Sequence, residues 1–354
     1  MPPRYFSWRI RGNSFYFAES IIAEINALPL DDSESENASK APFDVIVATS
    51  MVDLATLIGI CPVIAGIPSL LYFHENQFAY PETGHVYSSL EPKMVTIFSA
   101  LAATRLCFNS DYNKRSFIDG VTSLMKKFPD FKPNGIEKRL DAKSSVLPVP
   151  HVHDLASSTI HANEQDRPIR VVWNHRWEYD KGPDRLLALI GALPESLNIV
   201  FHVLGQRFAK SPVVMDDIKA LLGNRNWLGE WGFVESRSRY WNILSESDIV
   251  LSTAIHDFQG LAIQEAVQLG CVPLVPNRLA YADIYDESFR YSSLAPDMDA
   301  STAQITAEAQ AGALYVEQFC YDLPVPPNLD FLLWSNMREH YADCFVRLSG
   351  GLQV

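Results

Sequence analysis

The chain has 354 residues, of which 47% are hydrophobic, and this suffices for two domains with sizeable buried cores. Its 29 basic and 42 acidic residues give a net charge of −13, which disfavours nonspecific binding of nucleic acid by the whole surface. No apolar run approaches the ~20 residues that a membrane span needs, and the first residues lack the apolar stretch of a signal peptide. We therefore expect a cytoplasmic protein that binds neither a membrane nor DNA.

Strand-like and helix-like runs alternate along the chain in the manner of βαβ units, which predicts an α/β fold. Most candidate strands are apolar throughout, as parallel strands covered on both faces should be. The candidate strands are Asp44–Ala48, Ser69–Phe73, Arg105–Phe108, Ser145–Val149, Ile169–Trp173, Ile199–Leu204, Asp248–Ser252 and Val272–Val275. The acidic run at 31–37 predicts a solvated surface loop.

A domain boundary is predicted after Val149-Pro150, because residues 153–167 are polar and carry little apolar periodicity. We expect two doubly wound domains, at 1–152 and 165–323. The segment 324–354 follows a Pro-Val-Pro-Pro break, and residues 330–348 within it predict a long helix.

The five cysteines are scattered and form neither a CxxC pair nor a zinc-like spacing. They are Cys61, Cys107, Cys271, Cys320 and Cys344. We interpret them as buried free thiols.

Two acids, Asp257 and Glu265, lie eight residues apart around a predicted strand, turn and helix. The strand is Asp248–Ser252, the helix is Leu261–Leu269, and Gly260 forms the turn. In open α/β sheets such a junction lies at the carboxyl end of a strand, where ligands collect. The spacing leaves two interpretations open: binding of a ligand, or capping and dipole complementarity of the helix.

Two cations follow another predicted strand of the same domain. The strand ends at Trp173, a polar loop carries Arg176 and Lys181, and Pro183 fits the first turn of the next helix. Cations at that position suit a diphosphate, since arginine grips phosphate oxygens bidentately and lysine acts as a point charge. By themselves they are more typical of two solvated surface cations. Beside the two acids, they indicate a nucleotide-sugar pocket.

These residues resemble a known family. The arginine and lysine five residues apart, followed by His-Asp-Phe-x-Gly-x4-Glu-Ala from His256, resemble retaining glycosyltransferases of the GT-B fold, family 4, with Asp257 as the first acid of the usual E-x7-E motif. Longer motifs are similar to the tRNA-queuosine α-mannosyltransferase family. They are SWRIRG at 7–12, YFHENQ at 72–77, WNHRWE at 173–178 and WGFVE at 231–235.

The resemblance implies two Rossmann-like domains that face each other across a cleft, and transfer of mannose from GDP-mannose to queuosine in tRNA with retention of configuration. It implies that Glu265 holds ribose hydroxyls, that Asp257 holds sugar hydroxyls, and that Arg176 and Lys181 bind the diphosphate. It also implies that His74 lies beside the transferred sugar, although a histidine that only shapes its loop fits the sequence as well. The further donor-binding candidates are Asn174, His175, Phe258 and Gly260.

No metal cofactor is expected, because the fixed cations and a helix amino end would take its place. The triplet Asp297-Met298-Asp299 resembles the metal-binding DxD motif of another glycosyltransferase fold. It lies in a segment predicted to be irregular, and short acidic triplets arise commonly by chance.

Acceptor-side candidates lie in the first predicted domain, after two strands and near the start of the chain. They are Arg9, Arg11, Glu75, Asn76, Gln77 and Ser110. The three polar residues after His74 would bind acceptor hydroxyls or cap the next segment, and Ser110 fits an N-cap as well as a ligand contact.

Two basic clusters predict a tRNA surface in the same domain. Arg4, Arg9 and Arg11 have no acid among the first twelve residues, and the stretch 114–143 has eight basic residues against four acidic ones. Aromatic residues at 128 and 131 interleave the second cluster, as in a segment that contacts RNA. An ordinary solvated loop is the alternative.

Two departures from the family pattern bear on activity. The family's first β-α unit, with a Gly-Gly-Ser-His-like turn, is expected to be absent, and Asp257 replaces the usual glutamate with a side chain shorter by one methylene. The alternative functions are a family 4 enzyme with another nucleotide-sugar donor and a small glycoside or lipid-linked acceptor, and a non-catalytic nucleotide-sugar or RNA-binding remnant.

Overall fold

A computed structural model describes residues 6–27, 42–80, 90–130, 133–151, 167–208 and 211–350. The acidic run at 31–37 and most of the polar linker at 153–167 lie outside the described residues, as do Arg4, Phe131 and Lys132. The chain forms two compact units, 1–148 with 338–354, and 149–337. Within the described residues no helix is long and apolar enough to span a bilayer.

The first unit contains a parallel sheet whose described strands pair in the sequential order β1-β2-β3-β4. The strands are β1 Ile46–Thr49, β2 Ser69–Phe73, β3 Arg105–Phe108 and β4 Ser144–Val146. The helices are α1 Phe6–Ala27, α2 Leu54–Ile60, α3 Leu90–Ala102, α4 Asp111–Lys127 and α5 Ile136–Ala142, with a 3-10 turn at Pro62–Ile64. β2 and β3 pair in register, so that Phe73 lies opposite Phe108.

Aromatic packing forms the centre of this unit's core. The rings of Phe73 and Phe108 stack at 4.3 Å, and Phe117 from α4 packs against Phe73 at 4.8 Å. All three side chains are fully buried. Because β2 is buried on both faces, it is apolar in every position except Ser69, which is why its bounds were predictable.

The second unit contains a parallel sheet with the strand order β10-β9-β8-β5-β6-β7. The strands are β5 Ile169–Asn174, β6 Ile199–Leu204, β7 Leu228–Gly232, β8 Ile249–Leu251, β9 Val272–Pro276 and β10 Arg290–Tyr291. The helices are α6 Pro183–Ala192, α7 Val214–Asn224, α8 Arg237–Ser245, α9 Leu261–Gln268, α10 Tyr281–Ile284 and α11 Thr302–Tyr321. The last helix, α12 Trp334–Ser349, begins in this unit, and from Arg338 onward it belongs to the first unit. Short 3-10 turns occur at Tyr179–Lys181, Glu287–Phe289 and Asp330–Leu332.

The strand order of this sheet reverses at β5. From β5 the chain builds outward through β6 and β7, and then returns to place β8 on the other side of β5. In doubly wound sheets, ligands bind outside the carboxyl ends of the two strands that flank such a switch point. The loops that follow β5 and β8 are therefore the expected position of a ligand.

The α/β prediction is confirmed, but two strands were missed. β7 is an edge strand with a partly exposed, glycine-containing sequence, and β10 has two residues, so neither shows the apolar run of a central strand. The last predicted helix is interrupted, because a 3-10 turn ends at Leu332 and α12 begins at Trp334. Within the first unit, the Tyr341 hydroxyl of α12 donates to the carbonyl of Pro148 at 2.9 Å.

Candidate functional site

A pocket of about 470 Å³ lies in the second unit, at the carboxyl end of its sheet. Its walls come from the segments that follow β5, β6 and β7, and from helices α8 and α9. It is lined by Asn174, His175, Arg176, Leu204, Gly205, Gln206, Phe233, Val234, Glu235, Arg237, Tyr240 and Glu265. The volume lies within the range of pockets that bind small molecules and cofactors.

The loops after β5 and β8 are fastened to each other beside this pocket. The indole Nε1 of Trp173 donates to Oγ1 of Thr253 at 3.0 Å, and the backbone N–H of Ile255 donates to the carbonyl of Asp180 at 2.8 Å. Gly182 has a φ of +65°, and a Cβ there would collide with the carbonyl oxygen of Thr253. Only glycine permits this approach, so the sequence Lys-Gly-Pro fixes the distance between the loops.

Lys181 is buried at the junction of the two loops. Its ammonium donates to the carbonyl of His256 at 2.7 Å and pairs with Asp180 at 3.2 Å and with Asp257 at 3.8 Å. Burial alone would lower the pKa of Lys181, but the charges of Asp257 and Asp180 outweigh burial and raise it. The lysine therefore stays charged.

Asp257 is held by three groups. Its Oδ1 accepts from the backbone N–H of Gly260 at 2.9 Å, and its Oδ2 accepts from the hydroxyl of Tyr281 at 3.1 Å. Burial would raise the pKa of Asp257, but Lys181, together with the charge of His175 and the Gly260 N–H, lowers it below its ordinary value. The aspartate is an ionised hydrogen-bond acceptor, and it also closes the turn at Gly260.

Glu265 lies on α9 and lines the pocket. The indole Nε1 of Trp241 donates to its Oε1 at 2.8 Å. Burial, followed by the charge of Glu265, raises the pKa of the Tyr240 hydroxyl. The side-chain amide of Asn174 donates to the hydroxyl of Tyr240 at 3.0 Å and to the carbonyl of Ala262 at 2.8 Å. The Trp241 indole thus restrains one oxygen of the carboxylate.

His175 is buried although it contributes to the pocket lining, and its Nε2 lies 3.1 Å from Oγ of Ser252. Burial, reinforced by the nearby charge of Lys181, lowers the pKa of His175 to about 4. The pKa of His256 is lowered to about 4 by the same two effects. Both imidazoles are therefore neutral at neutral pH.

The remaining donor-side candidates divide between surface and core. Arg176 is exposed at the pocket edge, where its guanidinium pairs with Glu178 at 3.1 Å. Phe258 is buried, and its ring packs edge-on against His256 with centroids 4.5 Å apart. Gly260 has a φ of +77° and forms the predicted turn into α9. Of these three, only Arg176 lines the pocket.

In the first unit, His74 follows β2 at the carboxyl end of the sheet, as predicted. Its side chain is exposed, and its ring lies 4.7 Å from that of Tyr72. The neighbouring strand end secures its backbone, because Asn109 donates from its amide to the carbonyl of His74 at 2.9 Å. The exposed ring is therefore presented on an ordered loop.

Asn76 and Ser110 are committed to local structure. The amide nitrogen of Asn76 donates to Oδ1 of Asn113 at 2.8 Å, and its oxygen accepts from the N–H groups of Phe78 and Ala79 at 2.9 and 3.1 Å. Ser110 is the N-cap of α4 and accepts from the N–H of Asn113 at 3.0 Å. Their hydrogen bonds favour the capping interpretation over acceptor binding for both residues. Glu75 and Gln77 are partly buried beside them.

Some cations of the predicted basic surface form ion pairs or hydrogen bonds within the protein. The guanidinium of Arg11 pairs with Asp53 at 2.7 Å and with Glu91 at 3.0 Å, whereas Arg9 is exposed. Lys143 donates to the carbonyls of Leu101 and Ala103, and burial lowers its pKa to about 8.

The interpretation of 114–143 as a loop is wrong, because α4 and α5 occupy most of it. Lys114 on α4 pairs with Asp141 on α5 at 2.9 Å. The cluster is therefore a pair of helices whose charges are partly compensated.

The residues described show no group of three or more His, Cys, Asp or Glu side chains with the proximity of a metal site. Asp297 and Asp299 are exposed in an irregular segment, and the backbone carbonyl of Asp297 accepts a hydrogen bond from the buried Arg185. Arg185 also donates to the carbonyl of Ala295 at 3.1 Å. The contact of this acidic triplet with the buried Arg185 is therefore made by its backbone, not by its carboxylates.

Sequence reasoning missed one wall of the pocket. Arg237, Tyr240 and Trp241 lie on one face of α8, at spacings of three and four residues. Their helix follows the edge strand β7, which was itself missed. An aromatic pair and an arginine at helical spacing after WGFVE was the available signal.

The fold and site place the chain in a class of proteins. The structure is similar to that of HepE from Anabaena in complex with UDP, with a TM-score of 0.56, 12% identity, and coverage of 86% of this chain and 78% of that one. It is also similar to a UDP-forming α,α-trehalose-phosphate synthase from Burkholderia xenovorans, with a TM-score of 0.60, 11% identity, and coverage of 98% and 79%. These likenesses establish the GT-B fold of glycosyltransferases.

Sequence relatives define the family. The family described as tRNA-queuosine alpha-mannosyltransferase N-terminal matches residues 1–151. The tRNA-queuosine alpha-mannosyltransferase of Drosophila melanogaster is 32% identical over 301 residues, which are 83% of this chain and 75% of that protein. The chain belongs to the tRNA-queuosine α-mannosyltransferase family and is a glycosyltransferase, which confirms the resemblance noted from its motifs.

Proposed function

We propose that this protein is a retaining glycosyltransferase that transfers mannose from GDP-mannose to queuosine in tRNA, without a metal cofactor. Membership of the family supports the reaction, since the Drosophila melanogaster relative is named for it. The observation that supports binding of a nucleotide-sugar donor is the pocket beside β5, where the strand order of the sheet reverses. It brings an oriented carboxylate, Glu265, into one site with the exposed cation Arg176.

The pocket's charges suit a nucleoside diphosphate. Arg176 is exposed in the loop that follows β5, and it lines the pocket together with Glu265 of α9, an eight-residue helix without a side-chain cap at its amino end. Arginine and free helix N–H groups both favour phosphate oxygens. Lys181, buried at the junction of the two loops, adds positive charge, although Asp180 and Asp257 offset part of it.

In the proposed reaction, the bond between the anomeric carbon and the diphosphate oxygen breaks, and the diphosphate takes the electron pair. A hydroxyl oxygen of the acceptor bonds to the anomeric carbon on the same face of the sugar, and its proton passes to the oxygen of the departing diphosphate. Arg176 and Lys181 stabilise the charge that grows on the departing diphosphate. With these cations fixed, the step requires no divalent ion.

Asp257 has the contacts of a binding group rather than a nucleophile. Each of its oxygens already accepts one hydrogen bond, from the Gly260 N–H and from the Tyr281 hydroxyl. An ionised carboxylate has about four acceptor positions, so it can still accept from sugar hydroxyls. Because Lys181 lowers its pKa, it is also a weak base.

For the acceptor, we propose that tRNA contacts the first unit through cations that the fold leaves exposed. Lys114 and Lys143 are excluded because they form contacts within the protein. The candidates that remain are Lys126 and Lys127 at the end of α4, and Lys138 and Arg139 on α5. Lysine and arginine side chains bind the phosphate backbone by charge, so this binding should weaken steeply with salt.

The direct test incubates the purified protein with GDP-[14C]mannose and tRNA that carries queuosine. We expect label in the queuosine nucleoside, and none in matched tRNA that carries guanosine at that position. Glu265→Gln should abolish transfer, while Glu339→Gln, the same change at an exposed position of α12, should not. Equal labelling of both tRNAs, or of neither, would overturn the proposed acceptor. Transfer from UDP-glucose instead would overturn the proposed donor.

A further inference from the structure

We propose that Cys107 and Cys344 are a redox-active thiol pair, which hydrogen peroxide converts to a disulfide that tethers α12 to the sheet of the first unit. Both residues belong to that unit, because α12 joins it from Arg338 onward. The donor pocket lies in the second unit and its lining includes neither thiol, so the pair is independent of the proposed transfer reaction.

The two sulfur atoms come from elements that are far apart in the chain and lie in direct contact. Cys107 is in β3 and Cys344 is in α12, 237 positions later, and their Sγ atoms are 3.7 Å apart. Both are free thiols. A disulfide bond is about 2.05 Å long, so the two sulfurs have to approach each other by roughly 1.7 Å to form it.

The face of α12 that carries Cys344 is docked within the first unit. Tyr341 and Leu348 lie three residues before Cys344 and four residues after it, and these spacings place all three on one face of the helix. The hydroxyl of Tyr341 donates to a backbone carbonyl at 2.9 Å, and Leu348 is buried. On the sheet, Sγ of Cys107 also lies 3.2 Å from Oγ of Ser145, its register partner in β4. The packing of the unit therefore brings the two sulfurs together.

The two thiols differ in exposure and in charge state. Cys344 is partly exposed. Its contact with Cys107 and the charges of Arg105 and Arg347 lower its pKa to about 7, against the opposing effect of burial. Cys107 is fully buried, and the same contact together with burial raises its pKa above the ordinary value. Because the thiolate is the nucleophile in thiol oxidation, Cys344 is the attacking thiol and Cys107 the resolving one.

The proposed oxidation takes two steps. The Cys344 thiolate attacks one oxygen of hydrogen peroxide, the O–O bond breaks, and the sulfur becomes a sulfenic acid while the leaving oxygen takes up a proton to form water. The sulfur of Cys107 then attacks the sulfur of Cys344, the S–O bond breaks, and the departing hydroxide leaves as water with the proton of Cys107. Two thiols and one peroxide thus give one disulfide and two waters. A small dithiol reduces the bond again by exchange.

Cys320 on α11 provides a comparison within the same chain, because it is also partly exposed. Burial raises the pKa of Cys320 to about 11. At pH 7 its thiolate is scarcer than that of Cys344 by roughly four orders of magnitude, and its greater intrinsic nucleophilicity restores about two of them. Cys344 should therefore react with peroxide on the order of a hundredfold faster than Cys320.

The test treats the full chain with hydrogen peroxide at pH 7, blocks the remaining thiols with iodoacetamide and maps a tryptic digest by mass without reduction. We expect the tryptic peptides 106–114 and 339–347 as one linked species, and a thiol content in denaturant that falls from five to three per chain. Dithiothreitol should restore all five thiols. Cys320→Ser is the control and should form the same linked species at the same rate.

Two variants separate the roles of the thiols. Cys107→Ala removes the resolving thiol and keeps the charges of Arg105 and Arg347, so Cys344 should accumulate as a sulfenic acid that dimedone traps. Cys344→Ser should give neither the linked species nor a trapped sulfenic acid at Cys107. Circular dichroism confirms that each variant is folded, and the mapping of the wild type decides whether the disulfide forms without either variant.

Several results would overturn the proposed pair. They are the absence of the linked species from oxidised wild type, oxidation of Cys344 to a sulfinic acid in its place, or a bridge between two copies of the chain, seen as a dimer on a non-reducing gel. Peroxide treatment in urea tests the part that packing plays. Unfolding separates β3 from α12, so the preference for this pair should disappear, and equally fast formation of the same linked species in urea would contradict the proposal.

Discussion

Lys181→Met removes the cation that lies between two partly buried carboxylates while keeping a side chain of similar length. Lys181 contacts Asp180 at 3.2 Å and Asp257 at 3.8 Å, and it donates to the carbonyl of His256. Breaking a buried ion pair costs about 3–5 kcal/mol. Because the two carboxylates are 19% and 18% exposed, water screens part of this loss, and we expect about 2–3 kcal/mol at pH 7.

The loss of stability should depend on pH in a defined direction. In the wild type the pKa of Asp257 lies below 3.8, so its contribution to stability is present above pH 3.8 and is lost as the pH falls through the folded value. Without Lys181, burial raises this pKa instead, so the variant is destabilised at neutral pH and recovers as Asp257 takes up a proton. The difference between the two proteins should therefore be largest near pH 7 and shrink toward pH 4.

Urea unfolding followed by tryptophan fluorescence, at several pH values between 7 and 4, measures this difference. Lys219→Met removes an exposed lysine of α7 in the same unit and serves as the control, with an expected change below about 0.5 kcal/mol. A Lys181→Met variant as stable as the control at pH 7, or a difference that stays constant down to pH 4, would refute the reasoning.

Three further predictions concern the same unit. Because burial lowers the pKa of His175 to about 4, the free energy of unfolding should decrease as the pH falls from 6.5 toward 4, and His175→Asn should flatten that slope in urea titrations. Gly260→Ala should cost about 1–3 kcal/mol, since φ is +77° and the new Cβ would lie 2.6 Å from the ring of Tyr281, and its melting temperature should fall accordingly. Glu308→Gln should lower the free energy of unfolding in urea by about 3–5 kcal/mol, because Glu308 is the charge partner of the buried Arg278, at 2.7 Å. A decrease below about 1 kcal/mol would contradict this.

The central strands could be predicted from sequence because burial on both faces requires apolar residues throughout. Ile249, Val250 and Leu251 in β8, for example, are all fully buried. Edge strands lack this signature. β7 carries Gly229 and Glu230 and is only partly buried, so its pairing with β6 depends on contacts that no local pattern contains.

The site could be predicted in part. The sequence indicated Arg176, which follows β5, and Asp257, which follows β8. It also indicated Glu265, because the turn at Gly260 and the acidic motif predict a ligand site at the start of α9. The burial of Lys181 could not be inferred, because it depends on the close approach of the loop after β8. Likewise, the sequence left Asn76 open between acceptor binding and capping. Its amide nitrogen bonds to Asn113 and Ser116 of α4, and these partners depend on the tertiary position of that helix.

One measurement tests the nucleotide-sugar site most directly: calorimetric titration of the wild type and Glu265→Gln with GDP-mannose, UDP-glucose and ADP-glucose. We predict that the wild type binds GDP-mannose at a one-to-one ratio, and that Glu265→Gln, with the fold intact, weakens this binding at least tenfold. Absence of binding to all three sugars, or equal affinities for wild type and variant, would contradict the assignment of this pocket.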